Sequence, residues 1–228
     1  NLIWVMPAEG CLRHDSVFVI SGGPPASLPL PGLTAGALVI AADSGVDHAL
    51  AAGIEIDVAI GDMDSISAAG LATVEAAGTR IIRLAENKDA TDLEFALDQA
   101  VALEPRRIVV VSGGGGRLDH LLAELLLLGA ERYAACEVDA LFGSAAAHVI
   151  RSKRLLTGRR GAMISLLALH GPAEGVVTSG LVYALEGETL LPGSTRGVSN
   201  VFAEVEAHVE LESGVLVALC PLDEKGAL

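Results

Sequence analysis

Short runs of apolar residues alternate with helical patterns along roughly the first 140 residues of the chain. The runs are rich in valine and isoleucine and nearly uninterrupted, which is typical of strands that are buried on both faces. They lie at residues 17–20, 37–42, 57–60, 80–84 and 108–112. Alternation of strands and helices predicts an α/β fold, with a mostly parallel sheet and flanking helices.

Three segments between these runs carry helix signals. Residues 44–52 begin with a Ser-x-x-Asp spacing, which is typical of a capping box, and stop before Gly53. Residues 91–103 begin with Thr91, have Glu94 three positions later, and then place apolar residues on one face. Residues 118–128 are leucine-rich around nearly the whole circumference and stop at a glycine, so we expect a buried helix there.

The helical period disappears after about residue 145. Apolar runs at 162–169, 175–185, 200–211 and 214–219 are separated by turns rich in Gly, Pro and Glu. Residues 203–212 alternate with a period of two, which indicates a half-buried antiparallel strand. The chain therefore divides into an α/β domain, residues 1–142, and a C-terminal all-β sandwich domain, residues 143–228. A basic run opens the second part, and we expect a solvated edge strand or hairpin there rather than a phosphate site. It comprises Arg151, Lys153, Arg154, Arg159 and Arg160.

Composition excludes several classes of function. The chain is 51% hydrophobic, as a folded protein requires, and its 29 acidic against 15 basic residues give a net charge of −14. Such a charge disfavours nucleic acids and anionic membranes as partners. Three widely spaced cysteines without a Cys-x-x-Cys motif indicate neither disulfides nor zinc. No apolar run reaches the roughly 20 residues of a membrane helix. The first 16 residues lack the basic start of a signal peptide, so we expect a cytoplasmic protein.

Carboxylates follow successive predicted strands. Asp43 follows the second strand directly, Asp62 and Asp64 follow the third, and Asp89 and Asp92 come a few residues after the fourth. Because the carboxyl ends of parallel strands share one edge, we expect these side chains to converge. An oxygen-rich group without His or Cys favours Mg²⁺ or Ca²⁺ over zinc, and Mg²⁺ commonly shares substrate phosphates. For any single aspartate, a helix cap or an Asx turn is the alternative.

A run of four glycines, residues 113–116, separates the fifth strand from the next helix. Glycines at such a position allow the backbone to approach an anion at the helix N-terminus. Two standard phosphate-binding motifs fail here, however. Leu118 stands where the dinucleotide fingerprint needs glycine, and Arg117 and Leu118 replace the Gly-Lys-Ser/Thr end of a Walker A motif. A plain tight turn explains the run equally well.

Six motifs, in order across nearly the whole chain, resemble those of thiamine pyrophosphokinases. The match extends over about residues 16–220. The motifs are Ala42-Asp43-Ser44-Gly45, Gly61-Asp62-Met63-Asp64-Ser65, Lys88-Asp89-Ala90-Thr91-Asp92-Leu93-Glu94, Gly115-Gly116-Arg117-Leu118-Asp119-His120, Ser179-Gly180-Leu181-Val182-Tyr183 and Gly197-Val198-Ser199-Asn200. The resemblance implies a nucleotide-binding α/β domain followed by a β-sandwich, assembled as a homodimer.

The same resemblance implies an activity and a set of site residues. A member of this family transfers a pyrophosphoryl group from ATP to the hydroxyl of thiamine, with Mg²⁺, and gives thiamine diphosphate and AMP. The implied metal ligands are Asp43, Asp62, Asp64 and Asp89. The implied catalytic residues are Asp62, Asp64, Asp89, Asp92 and Arg117, with Asp62 or Asp92 orienting the hydroxyl or accepting its proton. The implied nucleotide-binding residues are Asp43, Ser44, Gly45, Lys88, Thr91, Gly115, Gly116, Asp119 and His120. Ser199 and Asn200 are implied to hold thiamine.

The chain departs from the family pattern at two points. Glu124 stands where the family more often has Asn. Some members stack a tryptophan on thiamine, whereas the only tryptophan here, Trp4, lies outside the β part, and Phe202 is the candidate replacement.

Two alternatives from other classes stay open. One is a metal-dependent hydrolase of nucleotides or phosphate esters that uses the same acidic edge. The other is a non-catalytic sensor of thiamine or nucleotide on the same fold. Product analysis distinguishes the first from a kinase, and metal-dependent ATP binding without turnover would identify the second.

Overall fold

The computed structural model describes residues 15–25, 33 and 37–222. Trp4 and nearly all of the segment tested for a signal peptide lie outside the described residues. Within the described ranges, no helix is both long and apolar enough to span a membrane.

The strands are β1 (Ser16–Ile20), β2 (Leu38–Ala42), β3 (Val58–Gly61), β4 (Arg80–Arg83), β5 (Arg107–Ser112), β6 (Glu137–Phe142), β7 (Ala145–Ile150), β8 (Lys153–Thr157), β9 (Met163–Ser179), β10 (Glu186–Leu190), β11 (Asn200–Val201), β12 (Glu206–Glu210) and β13 (Ser213–Pro221). The helices are α1 (Gly45–Ala51), α2 (Ala68–Ala77), α3 (Asp92–Val101) and α4 (Leu118–Leu128), with a 3₁₀ turn at Glu131–Tyr133.

The N-terminal strands form a parallel sheet in the order β4-β3-β2-β1-β5-β6, which confirms the predicted α/β fold. From β1 the chain adds strands on one side as far as β4 and then crosses back to place β5 on the other side of β1. The boundary between β1 and β5 is therefore the point where the strand order reverses. Ligands of open α/β sheets bind beyond the carboxyl ends of the strands at this point.

Both faces of the parallel sheet are covered, which explains its uninterrupted apolar runs. Val17 and Val19 of β1 contribute to one core with α3, while Phe18 and Ile20 contribute to a second core with α1 and α2. Successive side chains of a strand point to opposite faces, so one apolar run supplies both cores.

The predicted burial of α4 is wrong. Of its leucines only Leu128 is fully buried, and Leu118, Leu122 and Leu126 are exposed by 77%, 55% and 40%. Their spacing of four residues places them along one stripe of the helix. A leucine-rich composition identified the helix but could not indicate how many of its faces have a partner within one chain.

Helix α2 and strands β6, β7 and β10 were not anticipated from the sequence. Helix α2 is rich in alanine and has little apolar periodicity, and it buries only Gly70 and Val74. Strands β6 and β7 fall in and beside the small-residue stretch that we interpreted as a domain boundary. They form an antiparallel pair instead, in which Ala146 and Ala147 are buried.

The antiparallel C-terminal region confirms the predicted all-β character. β7 pairs with β13, β13 with β9, β9 with β12, and β12 with β8 at the end of the strand order. The first half of β9 pairs with β13 and its second half with β10 and β12. Alternate residues of β13 therefore face different cores: Val217 packs with the α/β part and Leu216 with a separate β core.

Two details of the β region differ from expectation. The run at 175–185 ends as a strand at Ser179, and the run at 200–211 is split into β11 and β12. The division into domains 1–142 and 143–228 stays a prediction, and one hydrogen-bonded sheet crosses it between β6 and β7. β8 is an edge strand as expected, but Arg154 in it is only 15% exposed and binds the buried Asp139 at 2.8 Å.

Candidate active site

Three carboxylates meet at the carboxyl ends of β2 and β3. One oxygen from each of Asp43, Asp62 and Asp64 lies within 4.8 Å of the others. Two of the backbone conformations here are unusual: Asp43 has a φ of 52° and Met63 a φ of 70°. Gly61 is required by the packing, since a Cβ at this position would lie 2.7 Å from Asp43 Oδ1. Strained backbone that is fixed in this way is typical of functional sites.

Lys88 connects this group to the start of α3. Its Nζ lies 2.8 Å from Asp62 Oδ2 and 2.8 Å from Asp92 Oδ1, and its side chain is 12% exposed. The hydrogen bond from Lys88 lowers the pKa of Asp62. One cation therefore contacts two carboxylates and fixes their direction.

Asp43 has no such cation of its own. Its Oδ1 is buried without a hydrogen-bond partner. Burial, followed by repulsion from Asp92, Asp62 and Asp64, raises the pKa of Asp43 to about 6. A partly buried carboxylate among like charges fits a site for a hard divalent cation, which would favour its ionised form. The donor set, three carboxylates without His or Cys, is also the kind that Mg²⁺ prefers.

Asp89 is not part of this group. Its side chain is exposed, and among the described residues the mutually close carboxylates are those of Asp43, Asp62 and Asp64 alone. Asp89 was predicted to belong to the site because it follows β4 in the sequence. In the structure, however, Lys88 and Asp92 on either side of it are the residues whose side chains face inward.

A cleft of about 750 Å³ opens at the reversal of strand order, between the loops after β1 and β5 and the helices α3 and α4. This volume is in the range of small-molecule sites. Most of the sequence-derived nucleotide residues line it. They are Asp43, Ser44, Thr91, Gly115, Gly116 and His120, together with the predicted catalytic residues Asp92 and Arg117.

The start of α1 is built differently from the predicted capping box. The side chain of Ser44 does not cap the helix. Its Oγ instead accepts a hydrogen bond from the backbone N–H of Gly23 at 3.1 Å and so holds the loop after β1. Asp47 instead accepts hydrogen bonds from the backbone and hydroxyl of Ser67. Gly45 is required, since a Cβ there would lie 2.3 Å from the carbonyl oxygen of Ile20. The helix start was predictable, whereas the partners of its polar side chains depended on tertiary contacts.

The glycine run allows close packing of two loops, and three of its residues also line the cleft. A Cβ on Gly113 would lie 2.1 Å from the Pro24 carbonyl oxygen, so the loops after β1 and β5 are in contact. Beyond the run, Arg117 and Asp119 form an exposed ion pair at 2.6 Å, and the hydrogen bond from Arg117 lowers the pKa of Asp119 to about 2. Arg117 thus lies at the rim of the cleft with a local partner.

The two predicted thiamine residues lie elsewhere. Neither Ser199 nor Asn200 lines the cleft, to which the described β region contributes only His170. Asn200 is 5% exposed, and its amide binds the backbone N–H and C=O of Tyr183 at 3.0 and 2.7 Å. Its side chain therefore shapes the neighbouring loop rather than facing solvent.

Phe202 cannot serve as the surface aromatic that replaces tryptophan. It is 1% exposed and belongs to the β core, where Gly158 packs against its ring. Asn200 contacts only the backbone of Tyr183 through the two hydrogen bonds above, and the aromatic side chain of Tyr183 is 65% exposed. An exposed aromatic residue was present in the sequence motif that ends at Tyr183. Only the fold, however, shows that Phe202 is buried and Tyr183 is exposed.

The fold and this geometry define an α/β protein with a carboxylate site beside a cleft at the reversal of strand order, continued by an antiparallel β region. Two family models match such a chain. The thiamin pyrophosphokinase catalytic domain matches residues 33–138, and the thiamin pyrophosphokinase vitamin B1 binding domain matches residues 147–216. The chain belongs to the thiamin pyrophosphokinase family.

Individual relatives agree with this assignment. A thiamine pyrophosphokinase of Bacillus subtilis (strain 168) is 36% identical over 115 residues, which are 50% of this chain and 54% of the relative. That match spans about half the length of the relative. The crystal structure of thiamine pyrophosphokinase from Bacillus subtilis has a TM-score of 0.80 at 26% identity, over 91% of this chain and 99% of that one. Thiamin pyrophosphokinase from Candida albicans shares the fold, with a TM-score of 0.73 at 17% identity over 92% and 90% of the two chains.

Proposed function

We propose that this chain is a magnesium-dependent thiamine diphosphokinase, which transfers the pyrophosphoryl group of ATP to the hydroxyl of thiamine and releases AMP. Family membership supports the choice of substrates. The single structural observation that carries the proposal is the unpartnered, buried Oδ1 of Asp43 within a group of three carboxylates, at the wall of a cleft large enough for a nucleotide. A phosphorylated substrate needs a cation at such a place.

Asp43, Asp62 and Asp64 would hold Mg²⁺. When bound, the ion neutralises phosphate charge. Asp89 is an expected ligand by resemblance only, because its exposed side chain lies outside the group. The proposed ligand set is therefore the three carboxylates, and a variant of Asp89 tests the fourth.

The chain's own residues would position the reactants, since positioning and charge neutralisation account for most of the catalysis of phosphoryl transfer. The Nζ of Lys88 lies 2.8 Å from Asp92 and fixes its direction, and Asp92 would accept the proton of the thiamine hydroxyl as the hydroxyl oxygen attacks the β-phosphorus. Arg117, exposed by 70%, would leave Asp119 and contact the phosphates as AMP departs. The new bond from the hydroxyl oxygen to the β-phosphorus replaces the bond from that phosphorus to the oxygen that leaves with AMP.

The thiamine side of the site is proposed to require a second copy of the chain. Ser199 and Tyr183 are exposed in the β region but do not line the cleft of their own chain. Leu118, Leu122 and Leu126 form an exposed apolar stripe on α4, and Leu126 also lines the cleft. Such a stripe supports an interface that a second copy covers. Light scattering should give a dimer mass for the wild type, and Leu122→Glu should give a monomer with weaker thiamine binding. A monomeric wild type with full activity would contradict the dimer.

A cytoplasmic location is also part of the proposal. Cys136 and Cys220 are buried and free, as is usual in a reducing compartment. Cell fractionation with an antibody against the chain tests this, and recovery outside the cytoplasm would contradict it.

The reaction is tested by incubating purified protein with ATP, Mg²⁺ and thiamine and separating the products by chromatography. Thiamine diphosphate and AMP should form in equal amounts, and a chelator should abolish both. Free phosphate formed without thiamine would instead identify a hydrolase. ADP with thiamine monophosphate would change the position of attack, and binding of Mg-ATP without turnover would identify a sensor.

A further inference from the structure

One carboxylate in the cleft wall lies apart from the metal-type group and has no role in the proposed reaction. Glu124, on α4, directs its two oxygens to two different strands. Ser112 donates its hydroxyl to Oε2 at 2.9 Å, and Ser21 donates to Oε1 at 3.4 Å. Both serines are 5% exposed, and all three residues line the cleft.

The two serines stand on either side of the reversal of strand order. Ser21 directly follows β1, and Ser112 is the last residue of β5, next to the paired residues Ile20 and Val111. The N–H of Ser21 also donates to the carbonyl of Val111 at 2.8 Å. Glu124 therefore bridges the two strand ends between which an α/β sheet binds its ligand.

Each strand end leads into a loop that forms the cleft wall. The loop after β1 contributes Gly22 and Pro24, and the loop after β5 contributes Gly114 to Gly116. Gly113 packs against the Pro24 carbonyl, and the N–H of Gly114 reaches Ser112 Oγ at 3.5 Å. A displacement of either serine would therefore move both loops.

The environment of Glu124 suits hydrogen bonding better than ion pairing. No described Lys or Arg forms an ion pair with it. Burial raises the pKa of Glu124, while the Ser112 hydrogen bond, the charge of His120 and the Ser21 hydrogen bond lower it in part. The two acceptor oxygens, rather than the net charge, are thus what the serines use.

We propose that Glu124 is a positioning residue for the nucleotide: by holding Ser21 and Ser112 it fixes the loops after β1 and β5 in the shape that binds ATP. The identity of this ligand rests on the proposed function, whereas the bridge itself does not. Misplaced loops weaken nucleotide binding at the cleft, and none of the residues proposed to contact thiamine belongs to these two loops.

Glu124→Met and Glu124→Gln form a matched pair, because both keep the length of the side chain and only Gln keeps hydrogen-bonding groups at its end. In the full chain with Mg²⁺, Glu124→Met should raise the KM for ATP about tenfold, with kcat within about twofold and the KM for thiamine unchanged. Glu124→Gln should stay within about threefold of the wild type. Ser112→Ala should resemble Glu124→Met more closely than Ser21→Ala does, as the two distances suggest.

Two further measurements keep the inference separate from the proposed reaction. Calorimetry with a non-hydrolysable ATP analogue should show about tenfold weaker binding for Glu124→Met, even if the wild type makes no thiamine diphosphate. Amide exchange at residues 113–116 should accelerate in Glu124→Met and not in Glu124→Gln. Unchanged analogue binding by a folded Glu124→Met, or no analogue binding by the wild type, would overturn the inference. If Glu124→Met and Glu124→Gln lost the same amount of affinity for the analogue, the charge of Glu124 would be what matters. Glu124 would then act through a direct charged contact, and the positioning role would be overturned.

Discussion

Two aspartates of this protein, one partly buried and one fully buried, have opposite surroundings. Asp43, at the carboxyl edge of the parallel sheet, has an unpartnered oxygen and carboxylate neighbours, and burial and repulsion raise its pKa to about 6. Asp139, in β6, is 2% exposed. It accepts hydrogen bonds from Arg107 Nε at 2.6 Å and from Arg154 at 2.8 Å, with His148 Nδ1 also 2.8 Å away.

The electrostatic balance at Asp139 explains its role. Burial alone would raise its pKa, but the hydrogen bond and charge of His148 and the charges of Arg154 and Arg107 outweigh burial and lower the pKa to about 2. Its partners come from β5, β7 and β8, so this cluster joins the α/β part to the β region. The buried carboxylate of Asp139, with its cations in place, stabilises the fold. The partly buried carboxylate of Asp43, without them, fits the site for a cation that we propose.

The largest expected effect is on activity at the first of these sites. Asp43→Asn should lower kcat/KM about a thousandfold, because it removes a charge that the proposed cation needs. Stability should be unchanged or slightly higher, since repulsion is relieved. Asp89→Asn is the matched control, and a change within about threefold is expected. A loss in Asp89→Asn as large as in Asp43→Asn would restore the ligand set implied by resemblance.

The second effect is on stability, at the other aspartate. Asp139→Asn leaves Arg107, Arg154 and His148 without a buried counter-charge, which should cost about 3–5 kcal/mol. For a chain of this size the melting temperature should fall by about 6–20 °C. Calorimetry measures the fall, and the specific activity of the folded fraction should be retained. A melting temperature within about 2 °C of the wild type would show that the cluster is not structural.

The two aspartates should also give opposite pH dependences in metal-free protein. The pKa of Asp43 is raised on folding, so its contribution to stability is present at low pH and is lost as the pH rises from about 4 to about 6. The pKa of Asp139 is lowered, so its contribution is present above about pH 4 and is lost as the pH falls towards 2.

Denaturant unfolding as a function of pH separates these contributions. Between pH 4 and 6 the wild type should lose about 1 kcal/mol relative to Asp43→Asn, a figure reduced for the partial exposure of the site. Added Mg²⁺ should remove this difference, because the ion replaces the proton. Parallel curves for the wild type and Asp43→Asn without metal would show that Asp43 titrates normally.

The smallest expected effect is at the exposed pair of Arg117 and Asp119. Both side chains are mostly exposed, so Asp119→Asn should leave the melting temperature, measured by calorimetry, within about 1 °C of the wild type. A fall of more than about 4 °C would show that this pair resembles the Asp139 cluster more than its exposure indicates.

The sequence predicted the parallel sheet well because burial on both faces leaves a local signal. Each of the first five strands lies within about a residue of its apolar run. Strand ends also placed Asp43, Asp62 and Asp64 on one edge, since parallel strands share direction. The sequence could not predict that Asp89 faces solvent, because the direction of a side chain in an irregular turn depends on neighbours that are distant in the chain.

Other errors have the same origin. The basic run was interpreted as solvated, yet Arg154 in β8 donates a hydrogen bond to the buried Asp139 in β6. Phe202 and Tyr183 are both aromatic residues beside family motifs, and only the β core separates the buried one from the exposed one. Helix α4 was identified from its composition, while its exposed leucines reflect a surface that one chain leaves uncovered.

The sequence alone therefore determined the α/β class, five of the six parallel strands, the antiparallel C-terminal region and the edge on which carboxylates collect. Those features follow from hydrophobic periodicity and chain direction, which are local properties. The tertiary structure decided which carboxylates acquire cationic partners and which do not. That difference depends on contacts between residues far apart in the chain, such as Asp139 with Arg107 and Arg154, and on the burial that makes each missing partner costly.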